Sequence, residues 1–269
     1  MGSVSDVPPP PNNQPSSTPP PPPPPSGLTP PPGYAANEGQ PTPTAPTRRI
    51  GGLAIPIVVS TSIVALGTLI SAFLSAGVAT DAANFLAGSI EQNEFEDALV
   101  PLNSLQLLVS VATLTTGILT IIWMLRIAKN VRAFGRVTTW SPLFAIFGWF
   151  LPPLILYIIP FLVLRELWKA SEPTGVDSSD NWKHTPDNPL LWAWLVLFGL
   201  IPAVLFVVQI GSFAASGVPT GDIESVAESL DEFGAIGWLS ALLTVAAAVV
   251  WVRFVRQMTQ RHKRLTNES

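Results

Sequence analysis

Apolar residues along this chain gather in long uninterrupted runs rather than at the period of a half-buried helix or strand. Four runs reach the roughly 20 residues that a bilayer crossing requires, at 50–76, 102–125, 190–211 and 233–252. None carries a charge near its centre, and each is longer than a buried core helix needs. The pattern predicts an all-α integral membrane protein with four transmembrane helices arranged as two hairpins. A fifth run, 142–164, has 23 uncharged residues but is interrupted by Pro142, Pro152, Pro153 and Pro160. Tandem proline removes two backbone donors and breaks a helix. The halves on either side, at 1.5 Å per residue, reach about 15 Å, half of a hydrocarbon core. This segment is expected to be re-entrant or interfacial, with Pro152, Pro153 and Pro160 shaping its turn.

Charge sets the expected topology. The chain has 14 Lys and Arg residues. If the four long helices cross and the fifth run dips and returns, all of them fall on one side, which the positive-inside rule makes cytoplasmic. The opposite side then receives two acidic loops without a base, 77–101 and 212–232. A full crossing by 142–164 would place the basic C-terminal segment outside. The resulting division is a cytoplasmic tail 1–47, a first hairpin 48–138, the proline-broken segment 139–171, a cytoplasmic loop 172–189, a second hairpin 190–256 and a basic cytoplasmic tail 257–269. The expected location is the cell membrane, with both termini cytoplasmic. Trp123, Trp140, Trp149, Trp168 and Trp251 lie near the ends of apolar runs, where interfacial aromatic anchors are found.

Composition separates the first 47 residues from the rest. They hold 18 of the 29 prolines and almost no large apolar side chain. Such a segment cannot offset its ordering entropy by burial and is expected to be disordered, with polyproline II stretches. No apolar h-region follows Met1, so it does not read as a signal peptide. Pro31-Pro32-Gly33-Tyr34 matches a P-P-x-Y ligand string, although a spacer is the simpler reading in so proline-rich a context. A protein partner for this tail and homo-oligomerisation are both compatible with the pattern; nucleic acid is not an expected partner.

The hairpins resemble one another. Residues 70–80 align with 210–220 at five of eleven positions: Ile70/Ile210, Phe73/Phe213, Gly77/Gly217, Val78/Val218 and Thr80/Thr220. Both copies enter from the same side, so a duplication would be a parallel repeat. Gly67, Ser71 and Ser75 on the first helix, with Thr113 and Gly117 on the second, have the spacing of small residues that lets membrane helices approach.

Trp123, Arg126 and Asn130 are spaced W-x-x-R-x-x-x-N. They are followed by Gly148-Trp149-Phe150-Leu151-Pro152, then Pro160, then Trp168-Lys169-Ala170-Ser171. This arrangement resembles the bacterial membrane family called domain of unknown function 4328, frequent in actinobacteria, over roughly 50–255. The chain departs from the family pattern inside the proline break, where Ile155 or Leu156 stands in place of a usual asparagine. The resemblance implies an architecture and no activity.

Catalytic and metal-binding patterns are absent from the sequence. Without cysteine, only two histidines remain, His184 in a polar loop and His262 in the basic tail. Both are expected to be solvated. No cofactor, metal or enzymatic activity is expected. The candidate contact set for anionic lipid or a partner is the stripe Arg126, Lys129, Asn130, Arg132 and Arg136, joined by Arg165 and Lys169. These positions support a non-enzymatic membrane organiser. The alternative is a small-solute channel or transporter component built around the proline-broken segment.

Overall fold

The computed structural model describes residues 43–150, 157–173, 181–204, 222–231 and 234–268. Every described element is a helix. Helix α1 (Gly51–Leu86) and helix α2 (Gln92–Ala133) form the first hairpin. A short helix α3 (Phe144–Phe147) runs into a 3-10 turn, Gly148–Phe150, and helix α4 covers Ile158–Ala170. Helix α5 (Pro189–Val204) contains a π-helical stretch, Leu195–Leu200. Helix α6 (Ile223–Asp231) and helix α7 (Gly234–Thr266) complete the chain.

Three helices, α1, α2 and α7, are long and apolar enough to cross a membrane. Of the fourth expected span, 190–211, the structure describes only the part within α5, and the remainder lies outside the described residues. The second copy of the proposed repeat, 210–220, lies there too, as do Pro152 and Pro153. The outward faces of the three long helices carry exposed apolar stripes, among them Ile55, Val59, Leu66, Ile70 and Phe73 on α1 and Leu107, Val111, Leu114 and Ile118 on α2. A soluble protein would bury such stripes; in hydrocarbon they need no cover.

Where described, the acidic segments are mostly helix rather than loop. At 1.5 Å per residue, the 42-residue α2 extends about 63 Å, twice the hydrocarbon thickness. Only 87–91 separates α1 from α2. Gly88, at φ +70°, closes α1: its N–H bonds Phe85 O and the Ser89 N–H bonds Asn84 O. A capping box between Glu91 and Glu94 opens α2. Beyond the spans, Val78, Ala82, Phe95 and Leu99 meet Ala227 and Leu230 of the amphipathic α6 in a small core of their own. Glu91, Glu94, Glu96, Asp97, Glu224, Glu228 and Asp231 are exposed on the outside of this helical cap.

Close approach in the first hairpin centres on Gly67, where a Cβ would stand 2.4 Å from Val109 Cγ2. Thr116 Oγ1 donates to Ser60 Oγ at 2.8 Å across the same seam. Gly117 and Thr113, by contrast, face away from α1. The contact seam of α2 is Val109, Ala112, Thr116, Thr120 and Trp123, one residue out of phase with the predicted small-residue pair.

The main core lies toward the other, basic end. Trp123 is fully buried, and it meets Trp251 edge-on at 6.5 Å between ring centres, with Met124, Ile127, Phe254 and Met258 around them. These two tryptophans are therefore core residues and not lipid-facing anchors. Trp140, Trp149 and Trp168 are half-buried, while Trp192, which the sequence reading passed over, is exposed. Pro160 sits inside the first turn of α4, where its missing N–H costs nothing. It is not a turn residue. Gly148 packs against Ile159 and Pro160, with a Cβ there only 3.1 Å from Ile159 Cγ2. The chain on the two sides of the proline pair thus returns upon itself.

Candidate functional site

The polar residues of the basic end converge on His262. Residues of α7 beyond the apolar run continue as helix, with Trp251, Val255, Met258, His262 and Leu265 all buried. This four-three-four-three spacing keeps one face on the core. His262 therefore lies inside the protein at 0% exposure, with Ser171 at 0% and Asn130 at 1%. The expectation that it is solvated is overturned. His184, in a 3-10 turn, is exposed.

Geometry fixes the protons. The Arg48 backbone N–H, which can only donate, meets Asn130 Oδ1 at 2.7 Å. Asn130 Nδ2 then donates to Arg48 O at 2.8 Å and to His262 Nε2 at 3.1 Å. His262 must accept at Nε2, so its proton is on Nδ1, directed at Ser171 Oγ 2.8 Å away. Burial, reinforced by the nearby Arg136 charge, holds the imidazole pKa down to about 3. The set superficially has the composition of a Ser-His-Asn triad, yet the nitrogen facing the serine is already protonated and cannot serve as its base.

Around this node, two arginines cap the end of α4. The last carbonyls of a helix lack intrahelical donors. Arg136 donates to Ala170 O at 2.6 Å and Arg261 to Trp168 O at 3.1 Å. Arg261 also pairs with Glu172 and stands 4.3 Å over the Trp168 ring. Burial lowers the pKa of both guanidinium groups from the usual arginine value. Arg136 reaches its place because α2 ends at Ala133. Gly135, at φ +73°, bonds its N–H to Arg132 O and turns the chain back.

The predicted contact stripe is thus divided. Asn130 and Arg136 are buried and internally bonded. Arg165 and Lys169 hold Asp187 at 2.8 and 3.1 Å, and the Arg165 bond keeps that carboxyl below its usual range. Glu166 receives the backbone N–H groups of Thr139 and Trp140. Lys129 and Arg132 are exposed, and Arg126 donates to Arg49 O at 2.9 Å.

The segment before α1 is clasped as well. Thr44 N and Oγ1 both donate to Ala133 O, at 2.7 and 2.9 Å. The Ile50 and Gly51 N–H groups meet the two oxygens of Glu268 at 2.9 Å each. The described part of the expected free tail, 43–47, is therefore tied to the body. Among the described residues no group of three His, Asp or Glu side chains converges as a metal site would.

Three long apolar helices over a hydrogen-bonded polar end define an all-helical membrane protein. Residues 86–260, more than half of the chain, match the family described as Domain of unknown function (DUF4328), and the protein belongs to that family. No curated protein and no solved structure matches the chain.

Proposed function

We propose that the protein is a non-enzymatic organiser of the cell membrane, with its basic end cytoplasmic and set against an anionic lipid surface. One observation carries this reading. The chain entering α1 is bonded through Thr44, Arg48, Arg49, Ile50 and Gly51 to the ends of α2 and α7. A proline-rich segment leaving such a base starts from a fixed point, which suits the display of a ligand or spacer to a partner. The proton placement at His262 supports a structural rather than a nucleophilic role for the node.

The alternative, a small-solute channel or transporter component, draws on the return of the chain at Gly148 against Pro160. One experiment separates the two. The full chain and a form lacking 1–42 are expressed in cells, with single cysteines at Asn93, Glu228 or Ser178 probed by an impermeant thiol reagent. Proteins near each form are identified by cross-linking. The organiser reading expects labelling at the first two sites only, and loss of cross-linked partners with the tail. Labelling at Ser178, or an unchanged partner set together with solute flux in reconstituted vesicles, would sink it.

A further inference from the structure

Between the start of α1, the basic end of α2 and the last turns of α7 lies a cleft of about 560 Å³. Its walls carry Arg49, Arg126, Arg256 and Lys263, and its lip carries Ala54 and Ile55. Among the described residues, the acid lining it is Glu268. Arg256 is exposed, and among the described residues neither it nor Lys263 has a side-chain hydrogen-bond or ion-pair partner.

The way Glu268 enters is built into the end of α7. Asn267 adopts φ 53°, a left-handed conformation that asparagine tolerates, and the Glu268 N–H returns to Lys263 O at 3.0 Å. This closure folds residue 268 back over the start of α1. Gly51 makes room for its carboxylate, since a Cβ there would lie 3.0 Å from Glu268 Oε1. A carboxylate thus occupies a place with two backbone donors and four surrounding cations. The four lining cations outnumber the one resident carboxylate, so the cleft holds more charged donors than two carboxylate oxygens can take up, and a phosphate group offers more acceptor oxygens to meet them.

Position selects the source of that phosphate. Exposed apolar side chains end at Ile55 on α1, Ile122 on α2 and Val249 on α7. Arg126 and Arg256 follow one to two turns later on α2 and α7. The cleft therefore opens at the edge of the hydrocarbon zone, where Ile55 and Val59, both more than half exposed, offer a track for an acyl chain.

We propose that this cleft binds the phosphate of an anionic phospholipid, and that Glu268 is a resident carboxylate which the lipid displaces. The proposal rests on the reading that the basic end faces an anionic membrane surface. Of the contact set seen in the sequence it keeps only Arg126, to which it adds Arg49, Arg256 and Lys263.

The test is lipid titration of the purified full chain, read by native mass spectrometry, with phosphatidylglycerol and phosphatidylcholine as probes and inorganic phosphate as a third arm. Wild type should retain phosphatidylglycerol over phosphatidylcholine. Arg256→Gln with Lys263→Gln should weaken that retention about thirtyfold, at about 1 kcal/mol per base and 1.4 kcal/mol per tenfold. Glu268→Gln should strengthen it about fivefold, by removal of the competing charge. Thermal melts of each variant separate loss of lipid from loss of fold. Lys129→Gln with Arg132→Gln, exposed bases outside the cleft, should change retention less than twofold.

If that control pair weakens retention as much as the cleft pair, the lipid is held by diffuse charge and the site is overturned while the surface reading stands. If wild type shows no preference for phosphatidylglycerol, the surface reading itself fails. Inorganic phosphate at millimolar concentration displacing the lipid and protecting the lipid-free protein equally would assign the cleft to a free anion. Unchanged retention in Glu268→Gln would remove the carboxylate's role as competitor.

Discussion

Acidification should destabilise this protein well above the range in which its carboxylates titrate, and His262 should be the reason. The imidazole is neutral when folded, with its pKa held near 3, against an ordinary value of 6.5. The unfolded chain therefore takes up a proton that the folded chain refuses. The sign follows directly: stability is intact above pH 6.5 and falls as pH drops from there toward 3. At pH 5 the unfolded form has gained about 1.5 pH units of protonation free energy, or about 2 kcal/mol at 1.36 kcal/mol per unit. For a domain of this size that corresponds to roughly 4–8 °C in melting temperature. The Asp187 carboxyl, held low by Arg165, loses its contribution as pH falls from about its ordinary 3.8, and so stays outside the interval between pH 7 and pH 5.

The assay is a thermal melt of the detergent-solubilised full chain at pH 7 and pH 5, alongside His262→Leu. The variant leaves the Asn130 amide and the Ser171 hydroxyl without their partner, so it should start lower at pH 7, by about 1–3 kcal/mol for each orphaned group. Its dependence on pH between 7 and 5 should be nearly flat. A variant that keeps the wild-type gradient would refute the argument, since some other group would then be taking up the proton.

Two further outcomes test the packing. Gly67→Ala should cost about 1–3 kcal/mol by overpacking against Val109 Cγ2, and Val109→Ala in the same chain should recover most of it; equal melts for wild type and Gly67→Ala would show that α1 and α2 are not in close contact there. A double-mutant cycle of Arg261→Met and Glu172→Gln should return a coupling of about 1–3 kcal/mol, because both groups are largely withdrawn from solvent. A coupling below about 0.5 kcal/mol would make the pair a surface contact without consequence.

The membrane character of the fold was legible because it depends on the length of apolar runs alone, and length survives the loss of every tertiary detail. The extent of the helices was not. Charged residues after a span suggest a loop, yet a helix does not stop where the bilayer does. Phe95, Leu99 and Leu102 recur at the spacing of one helical face within the acidic segment, and Val226, Ala227 and Leu230 do so in the other. That amphipathic signal was present and outweighed by the acids around it. The tryptophans failed for a related reason. Proximity to a basic cluster marks the level of a residue along the membrane normal, but says nothing of which way its side chain points. Trp123 and Trp251 face each other within the core.

The basic end shows where reading by charge gives out. Arg126, Lys129, Arg132 and Arg136 share one third of a helical wheel only if the helix continues, and Gly135 is the residue that ends it. Past that point Arg136 answers to the empty carbonyls of α4 rather than to the stripe. His262 was misplaced by the reverse error: its neighbours Arg261 and Lys263 suggested solvent, whereas the buried series from Trp251 to Leu265 runs straight through it. A charge is free to leave the core through a long side chain, but an imidazole at a core position has to be satisfied there. Asn130 and Ser171 do so from two segments that no local pattern connects. Their joint placement on one ring is a tertiary fact. It accounts for motif positions whose chemistry, read one at a time, pointed nowhere.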